Sequence, residues 1–296
     1  MLKNSYTPPQ TWHQAGQYFQ FREKAIFYRD EGQGPLLVCI HGFPTSSWDW
    51  QYLWPVLTQY FRVLAPDMLG FGFSDKPTRH VYSIHEQADL HEALLAHLGL
   101  SEGHLLAHDY GDTVAQELLV RHETRKQAAQ AGFQIQSLVL LNGGIFPEMH
   151  RPRRVQKLLE GPFGFLLSAL FTEKRFQKGF REVFGPESLP NMRELQDFWD
   201  IITYQNGHRL GHRLIHYMAD RRQHRDRWVN ALIETQVPRM LINGPEDPVS
   251  GLHAAERYRQ LIPSPQVVLL AGIGHYPQTE APDAVWEAFR AFHQLS

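Results

Sequence analysis

Residues 105–118 read "LLAHDYGDTVAQEL". The apolar start, Leu105 to Ala107, has the character of a buried strand. Val114 to Leu118 belongs to a helix. Between them, Ala107 and Gly111 flank Asp109 in a small–x–Asp–x–Gly turn. Such a strand–turn–helix junction lifts one side chain above the sheet edge, and the side chain at its apex is usually a serine nucleophile. Here it is a carboxylate. A simple turn residue, a disabled serine site and an enzyme with different chemistry all fit this stretch taken alone.

The flanking sequence supplies the sheet. "QYFQFREKAIFYRDEG" holds two short alternating runs, which predict an antiparallel edge hairpin. "PLLVCIHG" is a continuous apolar run ending at a glycine, as a buried parallel strand requires. "FRVLAPDMLGFGFSD", "HLLAHD", "SLVLLNGG", "PRMLINGPED" and "QVVLLAGIGH" each predict a further strand followed by a loop. "YSIHEQADLHEALLAHLGL" has helical spacing, with Ser83 as N-cap and Gly99 near its end. Strands alternating with helices imply an α/β fold: a mostly parallel eight-stranded sheet covered on both faces. Residues 146–231 break the alternation, with helical patterns and no strand-like run. They predict a helical cap inserted into a core domain formed by residues 1–145 and 232–296. An insertion after a strand's C-terminal end lies over the crevice where such sheets bind ligands.

Composition narrows the function. Lys and Arg number 29 against 31 Asp and Glu, so no global field draws in nucleic acid or an acidic membrane. The single cysteine, Cys39, lies in an apolar run and is expected to be a buried thiol. The N-terminal "MLKNSYTPPQTWHQ" has no signal-peptide core. The apolar stretch "GPFGFLLSALF" (161–171) is shorter than the roughly 18 residues of a transmembrane helix. No transmembrane segment and a cytoplasmic location are the expectations.

Three reactive groups follow three different strands: Asp109 after "LLAH", Asp247 after "MLINGPE" and His275 after "VVLLAGIG". Nucleophile, acid, histidine is the chain order of α/β-hydrolases. "HGFP" (41–44) follows the first parallel strand, where such enzymes place an oxyanion-hole donor. The backbone N–H groups of Phe43 and Tyr110 are the expected pair. Each motif is weak alone, and four in order are specific. Asp112 reads as a first-turn residue favoured by the helix dipole. Glu246 competes with Asp247, but the Asp-Pro after the glycine turn favours Asp247. His208, His212 and His216 are spaced as on one helix face, and a solvated face is preferred to a metal site because no HExxH-type motif or cysteine accompanies them. The Arg-rich "HRLGHRLIHYMADRRQHRDRW" reads as a charged outer face, with a lipid-surface role as the sharper alternative. No cofactor and no metal are expected.

"HGFPTSSW", "PDMLGFGFSDKP", "HDYGD", "GPEDPV" and "GHYPQTEAP" together resemble the α/β-hydrolase superfamily over nearly the whole chain, in its aspartate-nucleophile branch of epoxide hydrolases and haloalkane dehalogenases. "HDYGDTVAQELL", "NGGIFPEMHRP", "RWVNAL" and "HYPQ" are similar to the mesoderm-specific transcript subgroup. The resemblance implies a catalytic triad of Asp109, Asp247 and His275, and a small apolar epoxide or halide plus water as partners. His41, Trp48, Tyr204 and Tyr217 are the expected substrate-binding residues. Dehalogenases of the branch usually place a Trp after the nucleophile and use an Asn or Trp elsewhere as halide donor. Tyr110 and Phe43 depart from that pattern. Epoxide hydrolases usually offer two cap tyrosines. Tyr204 and Tyr217 are available, while Val229 follows the Trp where one tyrosine would stand.

Aspartate at the apex changes the chemistry. Serine needs a base before it attacks. An aspartate, with a reference pKa of about 3.9, is already charged at neutral pH. Attack on an ester carbonyl would give a reactive anhydride. Attack on a saturated carbon gives an alkyl ester that water, activated by His275, can cleave. Epoxide hydrolysis to a diol is the expected activity. Haloalkane dehalogenation and a non-catalytic binding role on the same scaffold are the alternatives, and the missing serine disfavours an esterase.

Overall fold

The computed structural model of the chain describes residues 1–295. α1 (Pro9–Gln14) leads into β1 (Gln17–Phe21) and β2 (Lys24–Glu31), an antiparallel hairpin. The hairpin turns through Arg22 and Glu23, both at positive φ, as a tight two-residue connection demands. β3 (Leu36–Ile40), α2 (Trp54–Tyr60), β4 (Arg62–Pro66), α3 (Ile84–His97), β5 (Glu102–His108), α4 (Tyr110–Gln127) and β6 (Gln134–Leu141) follow. Ser83 caps α3 as expected, its hydroxyl accepting from the Glu86 N–H at 3.2 Å.

Seven helices then intervene before the next strand: α5 (Arg154–Glu160), α6 (Gly164–Ala169), α7 (Glu173–Arg181), α8 (Met192–Thr203), α9 (Gly211–Leu214), α10 (Tyr217–Gln223) and α11 (Arg225–Glu234). β7 (Arg239–Asn243), α12 (Leu252–Leu261), β8 (Gln266–Leu269), α13 (Pro277–Glu280) and α14 (Pro282–Phe292) complete the order.

All eight expected strands form one sheet in the order β1-β2-β4-β3-β5-β6-β7-β8. β2 pairs antiparallel with β1 and β4, and the remaining neighbours are parallel. Alternation along each strand divides the core. Leu36, Val38 and Ile40 point into the layer covered by α3, α4, α11 and α12, while Leu37 and Cys39 point into the layer covered by α2 and α14. The Cys39 thiol is fully buried, and burial pushes its pKa up. The strand order reverses at β3, whose neighbours are β4 and β5. Loops leaving adjacent strand ends on either side of that reversal bound a crevice, the ligand site of open α/β sheets.

Residue 231, the expected end of the insertion, lies inside α11. This helix packs on the sheet layer: Trp228, Val229 and Leu232 are buried there, and Trp228 Nε1 donates to Glu117 of α4 at 2.8 Å. Among the described residues, no helix is long and apolar enough to cross a membrane.

Candidate active site

Asp109 forms the link between β5 and α4, at φ 47° and ψ −105°. This backbone region is costly for any residue with a Cβ, and such strain persists only where the surroundings impose it. Gly111 is part of the reason. A Cβ there would lie 2.4 Å from the Ile40 carbonyl oxygen, so only glycine lets α4 start so close to β3. The turn thus presents the carboxylate at the C-terminal edge of the sheet, nearly buried at 3% exposure.

The expected partners converge on it. His275 Nδ1 lies 2.8 Å from Asp247 Oδ2, and His275 Nε2 lies 4.0 Å from Asp109 Oδ2. The Phe43 N–H donates to Asp109 Oδ2 at 3.1 Å. Tyr110, the other expected donor, opens α4 directly after Asp109. Asp247 is itself held: Val249 N–H donates to Oδ1 at 2.7 Å, and Oδ2 accepts from Asn142 Nδ2 at 3.0 Å and Ser250 Oγ at 2.8 Å. These bonds fix the face that Asp247 offers to the imidazole, an orienting role that the sequence motifs did not assign to Asn142 or Ser250.

Electrostatics follow from that geometry. Burial alone would raise the pKa of Asp247, but the His275 charge, its hydrogen bond and the backbone donors prevail and hold it down at about 2. Burial would lower His275. The adjacent Asp247 charge and hydrogen bond, reinforced by the Asp109 charge, outweigh burial and raise it to about 9. Asp109 also stays below the usual carboxylate range. Burial opposes this, and His275, Arg221 and the Phe43 N–H overcome it. The resting site is therefore a carboxylate–imidazolium–carboxylate arrangement.

Arg221 of α10 is the residue the motifs missed. It lies within the stretch read as a charged outer face, yet it is 2% exposed. Its Nη2 donates to the Asp109 carbonyl oxygen at 2.8 Å and stands 3.6 Å from Asp109 Oδ1, while Nε donates to Thr113 at 2.7 Å. Its guanidinium also covers the Tyr217 ring at 4.5 Å. Nothing local distinguished it from the exposed Arg222 beside it. Asp112 falls where expected, at the start of α4. It is fully buried in the first turn of α4, and burial, together with the neighbouring Asp109 charge, drives its carboxyl towards the neutral form.

Asp109 and His275 open onto a cavity of about 510 Å³. Its walls include Phe43, Phe71, Leu159, Leu167, Phe171, Phe176 and Phe180, with Lys76, Arg175, Lys178 and His208 as polar members. None of the four expected substrate-binding residues, His41, Trp48, Tyr204 and Tyr217, lines it. His41 is buried beneath the site, its Nε2 accepting from the Met68 N–H at 3.0 Å. Trp48 is buried against Tyr6 and Phe198, and its indole N–H donates to the Thr7 carbonyl at 2.8 Å. Tyr204 packs against His13 and Phe73. These three side chains satisfy the fold and do not line the cavity. Tyr217 stays close: its ring touches Phe43 and Tyr110, and the Asp109 charge helps burial to raise its pKa. Tyr276, which the motifs did not single out, lines the cavity and donates to the Phe43 carbonyl at 3.2 Å. His208, His212 and His216 do not share a helix face. Gln205 and Asn206 at positive φ precede a 3₁₀ turn, and α9 ends before His216.

The sheet order and its inserted helices define a class of fold, and comparison with known proteins agrees on that class. Residues 35–282 match the family model for the alpha/beta hydrolase fold, so the chain belongs to that family. It is 44% identical over 302 residues to the human (Homo sapiens) mesoderm-specific transcript homolog protein, covering 96% of this chain and 89% of that protein. The haloalkane dehalogenase DbeA from Bradyrhizobium elkani superposes with a TM-score of 0.78 at 22% identity, over 95% of this chain and 99% of that one. The epoxide hydrolase CorEH superposes at 0.75 and 18% identity, over 94% of this chain and 98% of that one. These two structures share the fold.

Proposed function

We propose that the protein is a hydrolase acting at saturated carbon through a covalent alkyl–aspartate intermediate, with an apolar epoxide as substrate and a diol as product. The helices between β6 and β7 serve as its cap. The observation that carries this is the charged Asp109 at the strained apex, beside an imidazole already committed to Asp247. A charged carboxylate needs no base to attack.

In the first step an Asp109 oxygen bonds to the epoxide carbon, the carbon–oxygen bond of the ring breaks, and its electron pair stays on the ring oxygen. That alkoxide takes a proton from a tyrosine. Tyr217 and Tyr276 are the tyrosines near the nucleophile, and burial holds both in the protonated form. Esterification also removes the Asp109 charge that helped His275 keep its proton. His275 then returns that proton to the tyrosinate and becomes a neutral base. In the second step His275 takes a proton from water, whose oxygen attacks the Asp109 carboxyl carbon. The N–H groups of Phe43 and Tyr110 hold the resulting oxyanion. Collapse breaks the bond to the alkyl oxygen, the departing alkoxide takes the proton from His275 to complete the diol, and the Asp109 carboxyl, which now holds the oxygen of water, passes its remaining proton to His275, restoring carboxylate and imidazolium.

Two observations favour epoxide over halide. No Trp or Asn is among the residues lining the cavity, so a departing halide lacks the usual donors. The cavity does have a tyrosine in its wall. A purely binding role is disfavoured by Asp109, because a binding scaffold has no use for a nucleophile held in strained backbone.

The test is a single-turnover trap. His275→Gln should react once with styrene oxide and stall, and mass spectrometry after digestion should place the added mass on the "LLAHDYGD" peptide at Asp109. Bromoalkane in place of the epoxide tests the halide reading. An unmodified variant, alongside a wild-type enzyme that turns the substrate over, would overturn the two-step mechanism.

A further inference from the structure

Helices α5 and α6 carry a surface that their packing does not explain. Val155, Leu158, Phe163, Phe165, Leu166 and Leu170 are 43–69% exposed. They form half of the twelve large apolar side chains exposed among the described residues, yet they fall within sixteen residues. Scattered exposed leucines need no explanation, but a contiguous apolar patch marks an interaction surface.

The charge around the patch says what kind. Residues 151–181 contain eight Lys and Arg against two Glu, a net charge of +6 in a chain whose total is −2. The rest of the chain is therefore acidic. Arg154, Lys157, Lys174, Lys178 and Arg181 are exposed, and none makes an ion pair within 4.0 Å among the described residues. The two glutamates differ. Glu160 pairs with Arg222, whereas Glu173 accepts a hydrogen bond from Gln177. An apolar strip flanked by unpaired cations is the composition of a segment that lies in the headgroup region of a membrane. A second copy of this chain fits poorly, because a self-complementary contact would bring the same cations together.

The patch is continuous with the cavity. Leu159, Leu167 and Phe171, on the inward side of the same segment, line the cavity that reaches Asp109. Arg175 and Lys178 stand in its wall as well.

We propose that α5 and α6 dock on an anionic lipid surface, with their apolar side chains in the acyl–headgroup boundary and the 151–181 cations against lipid phosphates and carboxylates. The mouth of the cavity then faces the membrane, and apolar molecules dissolved in the lipid enter without crossing water. Docking needs no particular reaction at Asp109, so it stands or falls apart from the proposed chemistry.

Co-sedimentation of the full chain with vesicles tests it. Vesicles of phosphatidylcholine containing phosphatidylserine should pull the protein down at least about tenfold more strongly than phosphatidylcholine alone, and 1 M salt should weaken the binding. Phe163→Ser/Phe165→Ser/Leu166→Ser should abolish sedimentation. Lys157→Glu/Lys174→Glu should reduce it by about tenfold or more. None of these residues lines the cavity, and circular dichroism checks that each variant is folded. Equal recovery with neutral and anionic vesicles, sedimentation of the variants like wild type, or no sedimentation at all would overturn the proposal. So would a lipid-free dimer in light scattering that the triple serine variant dissociates, since the patch would then be a contact between copies.

Discussion

Replacing Asp109 with Asn should loosen the proton on His275. The substitution keeps size and shape, and its side-chain oxygen can still accept from the Phe43 N–H, so the cavity is retained. Only the charge goes. Across 4.0 Å, two unit charges interact by about 4 kcal/mol at an effective dielectric of about 20. That is an upper value, because Arg221 already neutralises part of Asp109 from 3.6 Å. Asp247, at 2.8 Å, remains and keeps most of its hold. A residual loss of about 1.4 kcal/mol or more makes proton binding at least about tenfold weaker. Imidazole titration by nuclear magnetic resonance in ¹⁵N-histidine-labelled protein reads this directly. Wild-type His275 should titrate near pH 9, and the variant clearly lower. The sign also reaches stability. A histidine whose folded pKa is raised stabilises the fold fully below its unfolded value of about 6.5, and this stabilisation is lost as pH rises through about 9. In Asp109→Asn the loss should begin at lower pH. An unchanged His275 titration would refute the idea that esterifying Asp109 readies the base for the second step.

Arg221→Met should raise the Asp109 pKa, moving the acidic limb of the kcat/KM profile to higher pH, and should cost about 3 kcal/mol in urea unfolding because a buried cation and its bonds are lost. An unshifted acidic limb would confine Arg221 to a packing role. Tyr217→Phe should slow the alkylation step with an epoxide by about 10²-fold, read from the rate of adduct formation in the His275→Gln background, while leaving bromoalkane alkylation unchanged. Equal effects on both substrates would remove Tyr217 as the proton donor.

Most of the fold was legible because burial writes itself into local pattern. Continuous apolar runs such as "PLLVCIHG" and "SLVLLNGG" became the central parallel strands, and the alternating first runs became the edge hairpin. Asp109, Asp247, His275 and the Phe43 N–H were legible because each ends a strand, and parallel strands bring their C-terminal ends together. Residues that support the site from other layers left no such mark. Arg221 looked like the exposed Arg222 beside it, since an arginine in a run of charged residues gives no sign of the burial it shares with Tyr217 and Met218. His41, Trp48 and Tyr204 showed the opposite problem. The "HGFPTSSW" motif brought in His41 and Trp48, and the resemblance brought in Tyr204 as a cap tyrosine, but their hydrogen bonds and ring contacts belong to packing outside the cavity. Asp112 was legible as a helix-start residue, but its full burial, which with the nearby Asp109 charge raises its carboxyl pKa, left no mark in the local pattern.

The bond from Arg221 to the Asp109 carbonyl oxygen makes α10 a keystone as well as a cover. The strained apex leans on a residue that belongs to the inserted helices, so Asp109 keeps its posture only while α10 stays seated. Moving the inserted helices as one body would break that bond, whereas the α5–α7 segment walls the cavity and makes no hydrogen bond to Asp109 among the described residues, so α10 and α5–α7 are tied to the site in different ways.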